Sequence, residues 1–289
     1  MLKLARPGER RLAYGFWRYQ EHEIETAIAM LELARASGVD HIDTADVYGA
    51  PHGFGGAERL LGAVRARAPS LFEGAVLATK GGVELGAPYN SSRAYIQAAC
   101  DASLSRLGVE RIDLYYIHRH DLLIGPAELA DTLDGLVAAG KIAAVGVSNF
   151  TATQVEALVQ HMKAPLAAHQ IEFSPACVDA IFDGRLDLAM RRSQAIAAWS
   201  PLAGGRIGDN GAAEFSDVTA KLDEIAARRE CSRAAIALAF LQQHPSGVTP
   251  IVGTKTAQRF RDCLRANSCV LTRREWYDIL EARLGARMP

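Results

Sequence analysis

Residues 112–148 read IDLYYIHRHDLLIGPAELADTLDGLVAAGKIAAVGVS and contain the alternation from which the fold is predicted. It begins with an apolar run, continues through a helical pattern from Pro126 to Gly140, and ends with a second apolar run at 143–148. A glycine after a helical pattern is typical of a left-handed C-terminal cap. Short runs that are apolar on both faces are typical of strands buried in a parallel sheet. The stretch therefore predicts one strand–helix–strand unit.

The same alternation continues along the whole chain. It predicts eight strands, at 12–17, 41–45, 75–80, 112–118, 143–148, 168–173, 195–200 and 249–253. Eight strand–helix units in 289 residues favour a closed (β/α)8 barrel, or TIM barrel, over an open sheet. An open doubly wound sheet that binds a dinucleotide predicts GxGxxG after its first strand, and the sequence contains no such motif. We predict a single α/β domain over 1–289, with extra helices near 218–229 and 232–243 and one C-terminal helix.

Composition and charge exclude several classes of protein. The chain is 49% hydrophobic and 22% charged, which is the mixture of a globular domain and excludes a disordered or collagen-like protein. A net charge of −1 argues against a nucleic-acid partner. Without a long uncharged apolar segment, and without a signal-peptide pattern at 1–7, no membrane attachment is expected. The five scattered cysteines predict neither a disulfide framework nor a cysteine zinc site, and they favour a reducing cytoplasm.

Titratable side chains stand where the predicted strands end, which is where barrels hold their active sites. The second strand carries Asp43 and is followed by Tyr48, the third ends at Lys80, and the fourth ends at His118. We expect the ammonium group to lower the pKa of the phenol from about 10. The carboxylate would keep the lysine charged, while the histidine remains neutral and bonds a substrate oxygen. Such a set can deliver a proton to a carbonyl oxygen.

A carbonyl reduction also needs a hydride, which comes from a cofactor. Trp199 offers a flat apolar face for an aromatic ring. Three polar side chains near the ends of the fifth and sixth strands can bond an amide: Ser148, Asn149 and Gln170. Lys255 and Arg259 stand at the start of the helical pattern after the last strand, where cations and free N–H groups can hold phosphate.

Several segments resemble the aldo-keto reductases. They are DTADVYG at 43–49, ATK at 78–80, DLYYIH at 113–118, GKIAAVGVSNF at 140–150, WSPL at 199–202 and PIVGT at 250–254, followed by Arg259, Leu271, Thr272 and Glu275. They occur in order over nearly the whole chain. The resemblance implies an NADPH-dependent carbonyl reductase with Tyr48 as general acid. It also implies that Lys80 and Asp43 tune this acid and that His118 orients a small carbonyl substrate.

The resemblance further implies where the cofactor binds. The expected contacts are Phe16, Trp17, Ser148, Asn149, Gln170, Trp199, Ser200, Pro201, Leu202, Gly204, Gly253, Thr254, Lys255 and Arg259. In the family, the nicotinamide lies against the ring at 199 and its carboxamide bonds the three polar residues named above. NADPH is expected because of Arg259, with Lys255 and Thr254 nearby, and NADH is the alternative.

The chain departs from the family pattern at five positions. Trp199 stands where Tyr is common, Gly253 where Lys is common, and Cys263 where Asn is common. Asp262 replaces the usual Glu, and Arg119 follows the predicted catalytic histidine where Trp is common. The change at 199 allows the same cofactor pose, whereas those at 253, 262 and 263 alter the contacts to the 2′-phosphate and the adenine.

Two other functions fit the same residues. One is an NADPH-binding sensor or regulatory subunit with little turnover, and the other is an NAD(P)-dependent sugar or polyol dehydrogenase that runs the site in reverse. Substrate specificity is expected in the loops 49–56, 81–91, 119–126 and 204–217, whose composition predicts no particular substrate. His41, near the start of a strand, is excluded from the site, and the sequence predicts no oligomeric state.

Overall fold

The computed structural model describes residues 9–50, 53–208 and 212–289. In this part of the chain, eight short strands alternate with helices. The strands are β1 (Ala13–Gly15), β2 (His41–Asp43), β3 (Val76–Gly81), β4 (Leu114–Ile117), β5 (Val145–Ser148), β6 (Leu166–Glu172), β7 (Ala195–Trp199) and β8 (Val248–Val252). They close into a barrel in chain order, which confirms the predicted fold class. The expectation about a signal peptide at 1–7 lies outside the described residues.

The first compact unit spans Ala13–Gln170 and carries β1 to β5 with most of β6. Its helices are α1 (Ile24–Ala36), α2 (Gly56–Arg67), α3 (Arg93–Leu107), α4 (Pro126–Ala138) and α5 (Ala152–Val159). Every residue of β1 to β5 is buried, which is the pattern of parallel strands covered on both faces.

The strand register of this unit aligns the predicted site residues. Asp43 pairs with Ala78, and Lys80 pairs with Tyr116 one strand further on. Because the strands are parallel, their carboxyl ends meet at one end of the unit. The side chains that follow these strands therefore lie at the same end of the sheet.

The second compact unit contains Ile171–Pro289 and, among the described residues, 9–12. In it β7 and β8 pair in parallel, with Ala197 opposite Thr249. Its helices are α6 (Arg185–Arg192), α7 (Ser216–Arg228), α8 (Arg233–Gln242), α9 (Ala257–Leu264) and α10 (Arg273–Leu284). The two extra helices are α7 and α8, which separate β7 from β8, and α10 is the C-terminal helix.

The starts of two helices, but not all strand ends, agree with the sequence pattern. Thr151 and Thr272 each cap a helix through a capping box, as the spacing of threonine and a following glutamine or glutamate predicts. Strands β1, β2, β4, β5 and β7 are shorter than the predicted apolar runs because run ends leave the ladder: Ile112, for example, forms only an isolated bridge with Ile142. Strands β3 and β8 keep the predicted length, and β6 is longer than predicted. No helix in the described part of the chain is long and apolar enough to cross a membrane.

Candidate active site

Four predicted catalytic side chains come from neighbouring strand ends of the first unit. Asp43 is the last residue of β2, Lys80 lies next to the end of β3, and His118 follows β4. Tyr48 lies in the loop between β2 and α2, where its backbone oxygen accepts the Ala57 N–H at 3.3 Å. The loop is thus fixed at the start of α2, and the phenol is held near the strand ends.

Lys80 is completely buried and connects three of these groups. Its Nζ donates to both carboxylate oxygens of Asp43, at 2.7 and 2.9 Å, and to the backbone oxygen of Thr44 at 2.7 Å. It also donates to the hydroxyl oxygen of Tyr48 at 3.2 Å. A buried ammonium group needs such partners, because an uncompensated charge away from water is strongly destabilising. The phenol, ammonium group and carboxylate are therefore in direct contact.

The pKa of Lys80 agrees with the prediction that this lysine stays charged, whereas the pKa of Tyr48 shifts in the direction opposite to the prediction. Burial lowers the pKa of Lys80, but the negative charge of Asp43 and the phenolate form of Tyr48 outweigh it and raise the pKa above its usual value. Burial raises the pKa of Tyr48, and the charge of Lys80 offsets this only in part. The predicted fall of the phenol pKa is wrong because it counted the ammonium charge without the lost hydration. At neutral pH the phenol keeps its proton.

The imidazole of His118 is neutral, as predicted. Burial, together with the positive charges of Lys80 and Arg119, lowers the pKa of His118 well below its usual value. The ring is edge-on to that of Tyr48, with 5.9 Å between the centroids. Its buried Nδ1 has no hydrogen-bond partner among the described residues. A neutral, polar ring thus stands beside the phenol.

The three polar residues expected to bond an amide are joined to this cluster. Ser148 is 1% exposed, and its hydroxyl oxygen accepts from the Asn149 side-chain amide at 2.7 Å. Asn149 has a left-handed backbone with φ of 60°, and its N–H donates to the Gln170 backbone oxygen at 2.9 Å. The Gln170 side-chain amide donates to Asp43 Oδ2 at 2.8 Å. These bonds fix the orientation of side chains that carry both donors and acceptors.

Phe16 and Trp17 follow β1 in two different environments. Phe16 is fully buried, with its ring centroid 5.4 Å from that of Tyr14 and 4.8 Å from that of Tyr19. Trp17 is 58% exposed, and the guanidinium of Arg18 lies 5.4 Å from its ring centroid. Contact of either residue with a cofactor stays a prediction.

The remaining expected cofactor contacts belong to the second unit. Trp199 ends β7 and is followed by Ser200, Pro201, Leu202 and Gly204; those after β8 are Gly253, Thr254, Lys255 and Arg259. Trp199 ends its strand half-buried, and the loop after it contains left-handed residues, with φ of 47° at Ser200 and 69° at Gly204. Lys255 and Arg259 are exposed cations at the N-terminal end of α9, an environment suited to phosphate. All nine assignments stay predictions.

Sequence reasoning missed a buried carboxyl pair beside the loop after β2. Asp46 is 1% exposed and Glu58 is fully buried. One oxygen of Glu58 accepts from the Thr79 hydroxyl at 2.5 Å, and the other accepts from Arg106 Nε at 2.6 Å. Acidic residues in a loop or a first helical turn are ordinarily solvated, so their burial is not visible in the sequence. The sequence feature that could have drawn attention to Asp46 was its position in the segment 43–49, between Asp43 and Tyr48.

Comparison with known proteins identifies an oxidoreductase and gives its family. The sequence model of the Aldo/keto reductase family matches residues 11–283, nearly the whole chain. The chain therefore belongs to this family, as the resemblance implied. Membership supports carbonyl reduction with a nicotinamide cofactor of the NAD(P)H type.

Individual relatives cover almost the full length of the chain. A "6-dehydroglucose reductase" of Novosphingobium aromaticivorans is 42% identical over 282 residues, covering 96% of this chain and 93% of the relative. A second "6-dehydroglucose reductase", from Agrobacterium fabrum, is 32% identical over 288 residues, covering 95% and 94%. The crystal structure of a thermostable aldo-keto reductase with the inhibitor epalrestat superposes with a TM-score of 0.79. It is 24% identical and covers 97% of this chain and 98% of its own, which supports the fold alone.

Proposed function

We propose that the chain reduces an aldehyde or ketone to the alcohol with NADPH, and that Tyr48 is the general acid. The observation that carries this proposal is the 3.2 Å contact of the Tyr48 hydroxyl with the buried ammonium of Lys80, itself bonded to Asp43. A phenolate beside a fixed positive charge is stabilised, so this phenol can give up its proton during a reaction. The group has the chemistry of a proton donor to a carbonyl oxygen.

The residues present fit a nicotinamide cofactor. A carboxamide needs both donors and acceptors, and the side chains that offer them here are Ser148, Asn149 and Gln170. The half-buried indole of Trp199 suits an aromatic ring, and the cations Lys255 and Arg259 suit phosphate groups. When bound, the reduced nicotinamide supplies the hydride that a carbonyl carbon receives.

Our assignment of NADPH over NADH depends on the segment after β8. Arg259 offers a guanidinium group for a 2′-phosphate, and Thr254 and Lys255 precede it by a few residues. A guanidinium binds phosphate in a bidentate way, which gives such a contact both energy and specificity. Cys263 offers no comparable group to the adenine.

The chain's own residues divide the chemical work. Asp43 keeps Lys80 charged and in place through two hydrogen bonds. The ammonium group stabilises the phenolate that forms as the Tyr48 proton moves to the carbonyl oxygen. His118, being neutral, donates to that same oxygen without competing for the proton. By microscopic reversibility the same groups accept a proton when an alcohol is oxidised.

We propose a sugar aldehyde of hexose size as the substrate class. The support is that two 6-dehydroglucose reductases match this chain over almost its full length. The loops that would contact the sugar are those after β2, β3, β4 and β7; of these, residues 51–52 and 209–211 lie outside the described residues. We also propose a reducing cytoplasmic location, supported by the five cysteines, which are all free thiols.

The proposal is tested with a panel of carbonyl compounds, including 6-dehydroglucose, followed at the absorbance of reduced nicotinamide with NADPH and with NADH. We expect turnover of a sugar aldehyde with NADPH, at a higher kcat/KM than with NADH. Turnover should be lost in Tyr48→Phe and retained in the control Tyr277→Phe, which removes a phenol on α10. Tight NADPH binding without turnover of any compound would favour a sensor, and faster alcohol oxidation with NAD would favour a dehydrogenase.

A further inference from the structure

Asp46 belongs to no part of the mechanism above, yet its backbone connects the two ends of the Tyr48 loop. Its N–H donates to the backbone oxygen of Lys80 at 3.0 Å, and its backbone oxygen accepts from Gly55 at 2.6 Å. Gly55 is the N-cap of α2. The backbone of Asp46, two residues before Tyr48, is therefore held both to β3 and to the start of α2.

The side chain of Asp46 is buried beside Gly81 of β3 and Tyr115 of β4. It is 1% exposed, and neither carboxyl oxygen bonds another side chain among the described residues. A Cβ at Gly81 would lie 3.4 Å from Asp46 Oδ2 and 1.9 Å from the Tyr115 hydroxyl oxygen. Because glycine has no side chain, Gly81 leaves room for the Asp46 carboxyl group and the Tyr115 hydroxyl group. Gly81 directly follows Lys80, which donates to Tyr48.

Charged and titratable groups face Asp46 from each neighbouring element. They are Lys80 of β3, Glu58 of α2, Arg106 and Tyr95 of α3, and Tyr115 of β4. The charge of Arg106 is already paired with Glu58 at 2.6 Å. Burial and the negative charge of Glu58 raise the pKa of Asp46 to about 8, with Arg106 offsetting part of this effect. At neutral pH Asp46 therefore carries its proton.

We propose that Asp46 is a positioning residue for Tyr48: its neutral carboxyl group fills the space beneath the loop, and loss of its proton releases the loop. The inference rests on the proposed function, because it concerns the general acid of that reaction. A carboxylate in this space would place a second negative charge beside Glu58 in surroundings poor in water. The loop must then open to hydrate it. The phenol would leave its contact with Lys80, and turnover would fall.

The test is the ratio of kcat at pH about 9 to kcat at pH about 7, measured for each variant with saturating NADPH and substrate. One ionisation with a pKa of about 8 reduces the wild-type ratio to about one tenth. Asp46→Asn, which has no proton to lose, should keep a ratio near one, since the pKa of Tyr48 lies above its usual 10.0. Asp113→Asn is the matched control, because Asp113 bonds the Leu77 N–H at 2.9 Å before β4 begins.

Infrared difference spectra of the whole protein provide a readout independent of turnover. As the pH rises from about 7 to about 9, the wild type and Asp113→Asn should lose one carboxylic-acid band, with the same midpoint as kcat. Asp46→Asn should show no such loss. A wild-type kcat ratio near one, an equal fall in Asp46→Asn, or the absence of that band would overturn the inference. Should Asp46→Asn fail to fold, the wild-type midpoints still decide the question. Turnover in Tyr48→Phe would instead remove the proposed function and leave the infrared result unaffected.

Discussion

Replacement of Lys80 by methionine tests the buried ion pair on which the site depends. Asp43 is 2% exposed; its carboxylate would lose both hydrogen bonds from Nζ and, among the described residues, would keep the side-chain donor of Gln170. Removing one partner of a buried pair typically costs about 3–5 kcal/mol, because the remaining charge is left without compensation. In a chain of 289 residues this corresponds to a Tm lower by about 5–8 °C.

The assay is thermal unfolding of Lys80→Met, Asp43→Asn and the double variant at neutral pH. We expect the double variant to regain most of the loss seen in Lys80→Met, since two neutral side chains can replace a buried pair at little cost. Because folding raises the pKa of Lys80, its stabilising effect is complete below pH about 10.5 and is lost as the pH rises through the folded value. Equal Tm values for Lys80→Met and the double variant would refute this reasoning.

Three further predictions concern the cofactor, the histidine and a helix cap. Arg259→Ala should weaken NADPH about 10- to 100-fold and leave NADH nearly unchanged, as a charged hydrogen bond contributes about 1.5–3 kcal/mol; equal weakening in calorimetric titrations would contradict a 2′-phosphate contact. Because the pKa of His118 is well below its usual 6.5, wild-type kcat should show no break near that pH, and His118→Ala should lower kcat by about 100-fold with cofactor Kd unchanged. Thr151→Ala removes a capping box and should lower the unfolding free energy by about 1 kcal/mol, measured by denaturant titration; an unchanged midpoint would mean that the cap adds nothing.

The barrel could be predicted because its signals are local and repeated. Runs such as 143–148 are apolar on both faces, and such runs are typical of a parallel sheet covered on both sides. The helices that follow Thr151 and Thr272 could be located because each capping box lies within four consecutive residues. The strand ends were predicted less accurately. Whether an end residue such as Ile112 joins the ladder or forms an isolated bridge depends on its pairing with the neighbouring strand.

The residues of the site, the charge of Lys80 and the neutral state of His118 could be predicted from the sequence, but the direction of the Tyr48 pKa shift could not. Position at a strand end brings Asp43 and Lys80 together in any barrel with this register. Whether a group is hydrated depends on elements far away in the chain, and the predicted direction of the Tyr48 pKa therefore failed. Asp46 and Glu58 were missed for the same reason. The burial of Glu58 depends on Thr79 of β3 and Arg106 of α3, and that of Asp46 depends on Gly81 of β3 and Tyr115 of β4.

A single turnover of Tyr48→Phe tests most directly whether Tyr48 is the general acid. The NADPH-loaded variant is mixed with a sugar aldehyde that the wild type reduces. We expect cofactor binding equal to that of the wild type and loss of nicotinamide absorbance slower by at least about 100-fold. Oxidation of the bound cofactor at the wild-type rate would contradict this role, since the proton would then come from a group other than this phenol.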